Sequence, residues 1–274
     1  MTYDILGLRA LDYLPCRYGT SKLQFRGPQR RLDAPYVAFL GGTTTFGKFI
    51  EQPYPLKVEH LTGVTSVNFG QVNAGLDVFL KDTVVLDTAR GARVTVIEVL
   101  GAANLSNRFY RVHPRRNDRF LRAGPLLQRL YPEVDFSQFN FTHHMLKHLH
   151  QLDSARFGPV RDALQSLWLR RMRKLVAKVS DEVVLVRFVE AGLTPDWRGG
   201  RAGCPALITD DMLDLLAVEV SAIIEVPIDD DTLPDCRVGM VFDLADEQAA
   251  GAVSPPQAHT AAARMLRPVL DRLM

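Results

Sequence analysis

Cysteine is scarce in this chain: Cys16, Cys204 and Cys236 are all that its 274 residues contain. Their number is odd and their spacing wide, so a disulfide framework is excluded and reduced thiols in a cytoplasmic protein are expected. No apolar run approaches the ~20 residues that span a bilayer. The N-terminal stretch MTYDILGLRALDYL has no basic region followed by a long apolar run, so no signal peptide is expected. Charge of one sign is also missing. Thirty-three Lys and Arg against 31 Asp and Glu leave a formal +2, which provides no bulk attraction to nucleic acid or membrane. No HExxH motif and no Walker lysine occur, and no metal or cofactor is expected. The 47% hydrophobic and 23% charged content is that of an ordinary globular protein. Its length suits one α/β domain over 1–274 with a sizeable core.

The clearest signal lies in residues 34–47. An unbroken apolar run, Tyr36-Val37-Ala38-Phe39-Leu40, stops at Gly41-Gly42; Thr43, Thr44 and Thr45 follow, and Phe46-Gly47 opens a helix. Such a run suits a strand buried on both faces of a parallel sheet. Residues 64–69 and 93–100 read as two more strands, ending at Gly70 and Gly101. Further strands are expected over 182–188 and 222–227, with a short extra one over 238–242. Helices are expected within 46–61 (interrupted by Pro53 and Pro55), over 76–90 and over 209–218. A final helix of about four turns opens near 254–259. Residues 1–33 read as a leader draped over the domain with its tyrosines packed inward, and 119–178 as a helical insertion. Alternating strands and helices imply parallel crossovers, whose ligands sit at the carboxyl ends of the strands. Hydroxyls there stand beside unpaired backbone N–H groups that favour negative charge. The same threonines serve equally as caps of a tight strand-to-helix turn.

Three strand ends together carry a family resemblance. Gly41-Gly42-Thr43-Thr44-Thr45-Phe46-Gly47 resembles the first block of the SGNH (GDSL-type) hydrolases, Gly-Asp-Ser-x-Thr-x-Gly. Gly41, Thr45 and Gly47 match, Thr43 stands at the nucleophilic serine, and Gly42 replaces the aspartate. The second block is similar to residues 67–75, with Gly70 at the oxyanion amide and Asn73 in the same loop. The third is similar to Gly101-Ala102-Ala103-Asn104, with the asparagine one position late. His259 stands where the family keeps its base, with Pro256 at the place of the orienting aspartate; it matches equally a non-catalytic histidine of that block. The resemblance implies a three-layer, flavodoxin-like α/β fold with five parallel strands ordered 2-1-3-4-5. It implies Thr43 as nucleophile, His259 as base, and Gly70 with Asn104 as oxyanion donors. Gly42, Thr44, Thr45 and Asn73 would surround the substrate. As a whole the chain is also similar to a bacterial family of unknown function with the signatures GGTxTFG and VHPRRNDRF.

Just beyond the third strand, residues 104–120 hold Arg108, Arg111, Arg115, Arg116 and Arg119 together with His113. Guanidinium forks bind carboxylate, sulfate or phosphate bidentately. A solvated basic loop is the alternative, and the near-neutral chain argues against single-stranded nucleic acid. At least two of Arg108, Arg111, Arg115 and Arg116 are expected to face the pocket of Thr43. Among His143, His144, His148 and His150, the pair His144 and His148 shares a helical face, read as a solvated one. The glycine-rich stretch 196–203 reads as a mobile lid or a plain connection. Two functions stay open. One is an SGNH-like esterase or group transferase acting on an anionic small molecule or carbohydrate. The other is a catalytically degenerate domain that only binds such a ligand. Neither nucleic acid nor membrane is an expected partner, and oligomeric state is not legible.

Overall fold

The computed structural model describes residues 11–189, 206–228 and 237–274. The glycine-rich stretch 196–203, the loop 229–234, Cys204 and Cys236 lie outside them. In chain order the elements are β1 (Tyr36–Leu40), α1 (Thr43–Phe46), α2 (Tyr54–Thr62), β2 (Thr65–Asn68), α3 (Leu76–Leu80), α4 (Thr83–Arg90) and β3 (Val94–Glu98). There follow β4 (Tyr110–Val112), β5 (Phe120–Ala123), α5 (Pro125–Leu130), α6 (Thr142–Leu152), α7 (Ser154–Val176) and β6 (Val183–Val189). The chain closes with α8 (Asp210–Ala217), β7 (Ala222–Pro227), α9 (Glu247–Ala250) and α10 (Pro256–Leu273). Five strands form one sheet in the order β2-β1-β3-β6-β7, every pairing parallel. This is the flavodoxin-like order expected from the resemblance.

The unbroken apolar strands follow from burial on both faces. Side chains alternate across a strand, so Val37, Phe39, Val94, Val96, Val184 and Val186 meet α2 and α10 on one face. Ala38, Leu40, Ile97 and Leu185 meet α4, α7 and α8 on the other. Trp168 of α7 is buried, and its indole N–H donates to the Leu100 carbonyl at 2.6 Å, which fastens the helical insertion to the exit of β3. Registers Phe39↔Asn68 and Leu40↔Ile97 place Gly41, Gly70 and Gly101 beyond neighbouring strand ends, on one rim.

Several boundaries differ from expectation for local reasons. Pro53 and Pro55 start α2 instead of interrupting a helix: Pro53 is its N-cap and Pro55 lies in the first turn, where a missing N–H breaks no bond. Residues 76–90 divide into α3 and α4, because the Asp82 carboxylate accepts from Val85 N and starts a new helix. The insertion begins with strand β5, which pairs antiparallel with β4. Residues 238–242 form no strand, and α10 runs for 18 residues instead of four turns.

The leader has Tyr18 and Phe25 packed on Phe69, and Cys16 bridges Phe25 antiparallel. Arg26 donates to the carbonyls of Phe46 at 3.2 Å, Gly47 at 2.6 Å and Glu51 at 2.8 Å. Helix ends leave carbonyls without partners, and Arg26 supplies them at the end of α1. Burial lowers its pKa to about 10.

Candidate functional site

The chain leaves β1 at Gly41-Gly42 and turns at once into α1. Glu98, the last residue of the neighbouring β3, holds that turn. Its Oε2 accepts from Gly42 N at 2.8 Å, Thr45 N at 3.0 Å and the Thr45 hydroxyl at 2.5 Å. The Thr45 hydroxyl also bonds Tyr54 OH at 2.7 Å. Glu98 is buried, and desolvation pushes its carboxyl pKa up while the three donors pull it back. A side chain at Gly41 would collide with this carboxylate and with the Thr45 hydroxyl, so only glycine fits. The Thr44 hydroxyl lies 2.9 Å from Ser254 Oγ. Gly42, Thr44 and Thr45 therefore direct these polar groups inward, where they hold the turn.

Thr43 is placed differently. Its hydroxyl accepts from Asn73 N at 3.0 Å and donates to Asn73 Oδ1 at 3.3 Å. Asn73 has a left-handed backbone, φ 56°, which asparagine tolerates better than most residues. Its Nδ2 donates to Asp118 Oδ2 at 3.1 Å, and its carbonyl accepts from Asn104 Nδ2 at 3.3 Å. Asn104 Oδ1 accepts in turn from the Thr142 hydroxyl at 2.8 Å. The fold thus brings Thr43, Asn73 and Asn104 together and adds Asp118.

It does not add the expected base or the second oxyanion donor. The His259 ring is fully buried, and its Nδ1 accepts from Tyr54 N at 3.1 Å. Desolvation first, then the charges of Arg26 and Lys57, lowers its pKa to about 3. The ring is thus bonded to Tyr54, whereas the described bonds of the Thr43 hydroxyl go to Asn73. The Gly70 amide donates to Asn68 Oδ1 at 2.8 Å, so it is not held open for an oxyanion. Glycine is needed there because a Cβ would strike the Thr45 and Phe46 backbone.

The arginine-rich stretch forms the hairpin of β4 and β5, with its tip at 113–119. Asn117, wholly buried, accepts from Gly75 N at 3.0 Å and donates to the His113 carbonyl at 2.9 Å. His113 Nδ1 accepts the amides of Arg115 and Arg116, which leaves its proton on Nε2. With the Asn73–Asp118 bond, these contacts seat the tip against the exit of β2. Between tip and leader lies a cleft of about 940 Å³. Arg17, Lys22, His113, Arg115, Arg116 and Arg119 line it, facing Tyr13, Phe46, Gln71 and Val72. Among the described residues Asp12 is its one acidic wall residue, and it already accepts from Leu14 N. Among the described residues none of the five Arg and Lys side chains has a carboxylate within ion-pair distance.

The expected arginines therefore divide. Arg115 and Arg116 line the cleft; Arg108 lies over the Phe109 ring, and Arg111 stands opposite Arg122 across the hairpin. Thr43 is not among the walls, although Phe46 and Gln71 from the same two loops are. Arg17, Lys22 and Glu98 were not expected. Glu98 carries a signal, a lone carboxylate at the end of a β-branched strand. Arg17 and Lys22 carry none, since only the leader's path brings them to the hairpin. His144 and His148 lie exposed on α6, and no group of three His, Cys, Asp or Glu among the described residues could hold a metal. No described helix is long and apolar enough to cross a membrane.

Neither a curated protein nor a solved structure matches the chain. One family model does, a domain of unknown function (DUF6473), over residues 1–274. With the whole chain covered, the protein belongs to the DUF6473 family.

Proposed function

We propose that this protein binds an anionic small molecule or carbohydrate in the basic cleft, with the threonine turn serving as scaffold to the loops that frame it. The observation that carries this reading is the convergence of Arg17, Lys22, Arg115, Arg116 and Arg119 on one cavity, with no carboxylate partner among the described residues. Like charges gathered in a concave site focus a positive potential, and a bound anion relieves their repulsion. Esterase or group-transfer chemistry at Thr43 has weaker support. Its hydroxyl is joined through Asn73 to Asp118, but His259 is committed elsewhere. A cytoplasmic setting, expected from the cysteine spacing, belongs with this proposal.

Calorimetric titration with sulfate, phosphate and acidic sugars tests the reading. Each guanidinium fork in a partly desolvated site contributes ~1.5–3 kcal/mol, so Arg115→Ala with Arg116→Ala weakens binding at least about tenfold. Equal affinity in wild type and the double variant, or no binding by either, refutes it.

A further inference from the structure

The basic cleft has a neighbour. A second cavity of about 340 Å³ is walled by Thr20, Leu23, Lys81, Asp82 and, again, Lys22 and Arg115. Lys22, Leu23 and Arg115 belong to both cavities. The two spaces therefore adjoin at the Lys22, Leu23 and Arg115 side chains, which a ligand long enough to enter both would cross; to such a ligand they are one groove of two halves. Lys81 adds a sixth cation at the far end, exposed and 3.5 Å from Asp77. A single sulfate or phosphate would occupy one half and leave Lys81 with only Asp77, a carboxylate that it shares with Arg171.

The groove also says what kind of body should carry the charges. Neutral hydrogen-bonding side chains stand among the cations: Gln24 and Gln71 in the large half, Thr20 and Thr83 in the small one. Gln71 Nε2 already donates to the Gln24 carbonyl, which leaves its Oε1 to accept from a hydroxyl. Asp12 and Asp82 put a carboxylate in each wall, unfavourable to a purely anionic surface, although both already accept hydrogen bonds from the protein. Nucleic-acid bases need open aromatic faces on which to stack. The Tyr13 ring has Phe46 at 5.0 Å and the Arg26 guanidinium at 5.2 Å. Tyr110 and Phe120 of the hairpin are buried.

We propose that the ligand is an acidic oligosaccharide, carrying carboxylate or sulfate on successive sugars and long enough to occupy both halves of the groove. This rests on the anion-binding reading above and extends it from a single anion to a linear, hydroxylated polyanion.

The test is calorimetry on the full chain with inorganic sulfate and with galacturonate oligomers of two, four and six sugars. The variants are Lys81→Ala, which touches only the small half, and Arg116→Ala, which touches only the large one. Bridging both halves adds charge contacts, so affinity should rise at least about tenfold from the dimer to the hexamer. Lys81→Ala should weaken the hexamer about fivefold and leave sulfate unchanged, the effect expected for one exposed charge contact. Arg116→Ala should weaken both ligands. Affinity independent of length, with Lys81→Ala like wild type, overturns the oligosaccharide while the anion site stands. Tighter binding of a single-stranded RNA of matched charge overturns it in favour of nucleic acid. No binding of sulfate or any oligomer sinks the anion site itself.

Discussion

Acidification tests the reassignment of His259 from base to core residue. Its ring is fully buried, and desolvation, with Arg26 and Lys57 nearby, holds its pKa at about 3 against an ordinary 6.5. The unfolded chain takes up a proton below that ordinary value, and the folded chain does not. A depressed folded pKa places the stabilisation above pH 6.5 and removes it as pH falls towards 3. Linkage puts the loss at roughly 2 kcal/mol between pH 8 and pH 5, and at ~4–5 kcal/mol when pH 3 is reached. His259→Asn keeps an acceptor for Tyr54 N and cannot titrate. It should be less stable at neutral pH, because a smaller side chain leaves a gap in the core. The assay is the urea midpoint of both proteins at intervals from pH 8 to pH 5, converted with a common slope. Wild type should lose about 2 kcal/mol more than the variant over that range. The pKa of His143, also lowered by desolvation, is shifted alike in both proteins and cancels in the difference. Glu98 cancels as well; its raised pKa acts in the opposite sense, with stability lost as pH rises. Parallel curves for the two proteins would refute the reasoning. They would mean that the ring reaches water and titrates freely, and His259 would return as a candidate base.

Two further substitutions probe how the site is supported. Gly70→Ala drives a methyl group onto the Thr45 and Phe46 backbone, which cannot swing aside. It should lower stability by ~1–3 kcal/mol in chemical denaturation, and an unchanged midpoint would show that the loop relaxes freely. Asn117→Ala strands Gly75 N in a buried place and the His113 carbonyl in a part-buried one. A loss of at least about 2 kcal/mol is expected, together with weaker sulfate binding although Arg115 and Arg116 remain. Undiminished sulfate affinity would show that the hairpin tip does not depend on this anchor.

Local pattern carried the sheet. Apolar runs mark the strands, three of them stopped by glycine, and β1, β2, β3, β6 and β7 lie close to where those runs predict them. Their order came from the family resemblance, because periodicity reports which faces are apolar and not which strand lies beside which. Boundaries failed where one side chain decided them, as Asp82 does by capping α4 and Pro53 by opening α2. The candidate site was legible only in part. Thr43, Asn73 and Asn104 meet because three strand ends share one rim, which the glycine-ended runs foretold. The fate of His259 was not legible, since whether a histidine beside a helix start faces a pocket or a core depends on how α10 packs on α2. The cleft was least legible of all. Its cations come from the leader and from a hairpin about a hundred residues later in the chain. Asn117 and Asp118, which seat that hairpin against the exit of β2, look in the sequence like ordinary loop residues. Charge has no periodicity to read, so tertiary structure alone decided which arginines converge and which, like Arg108 and Arg111, do not.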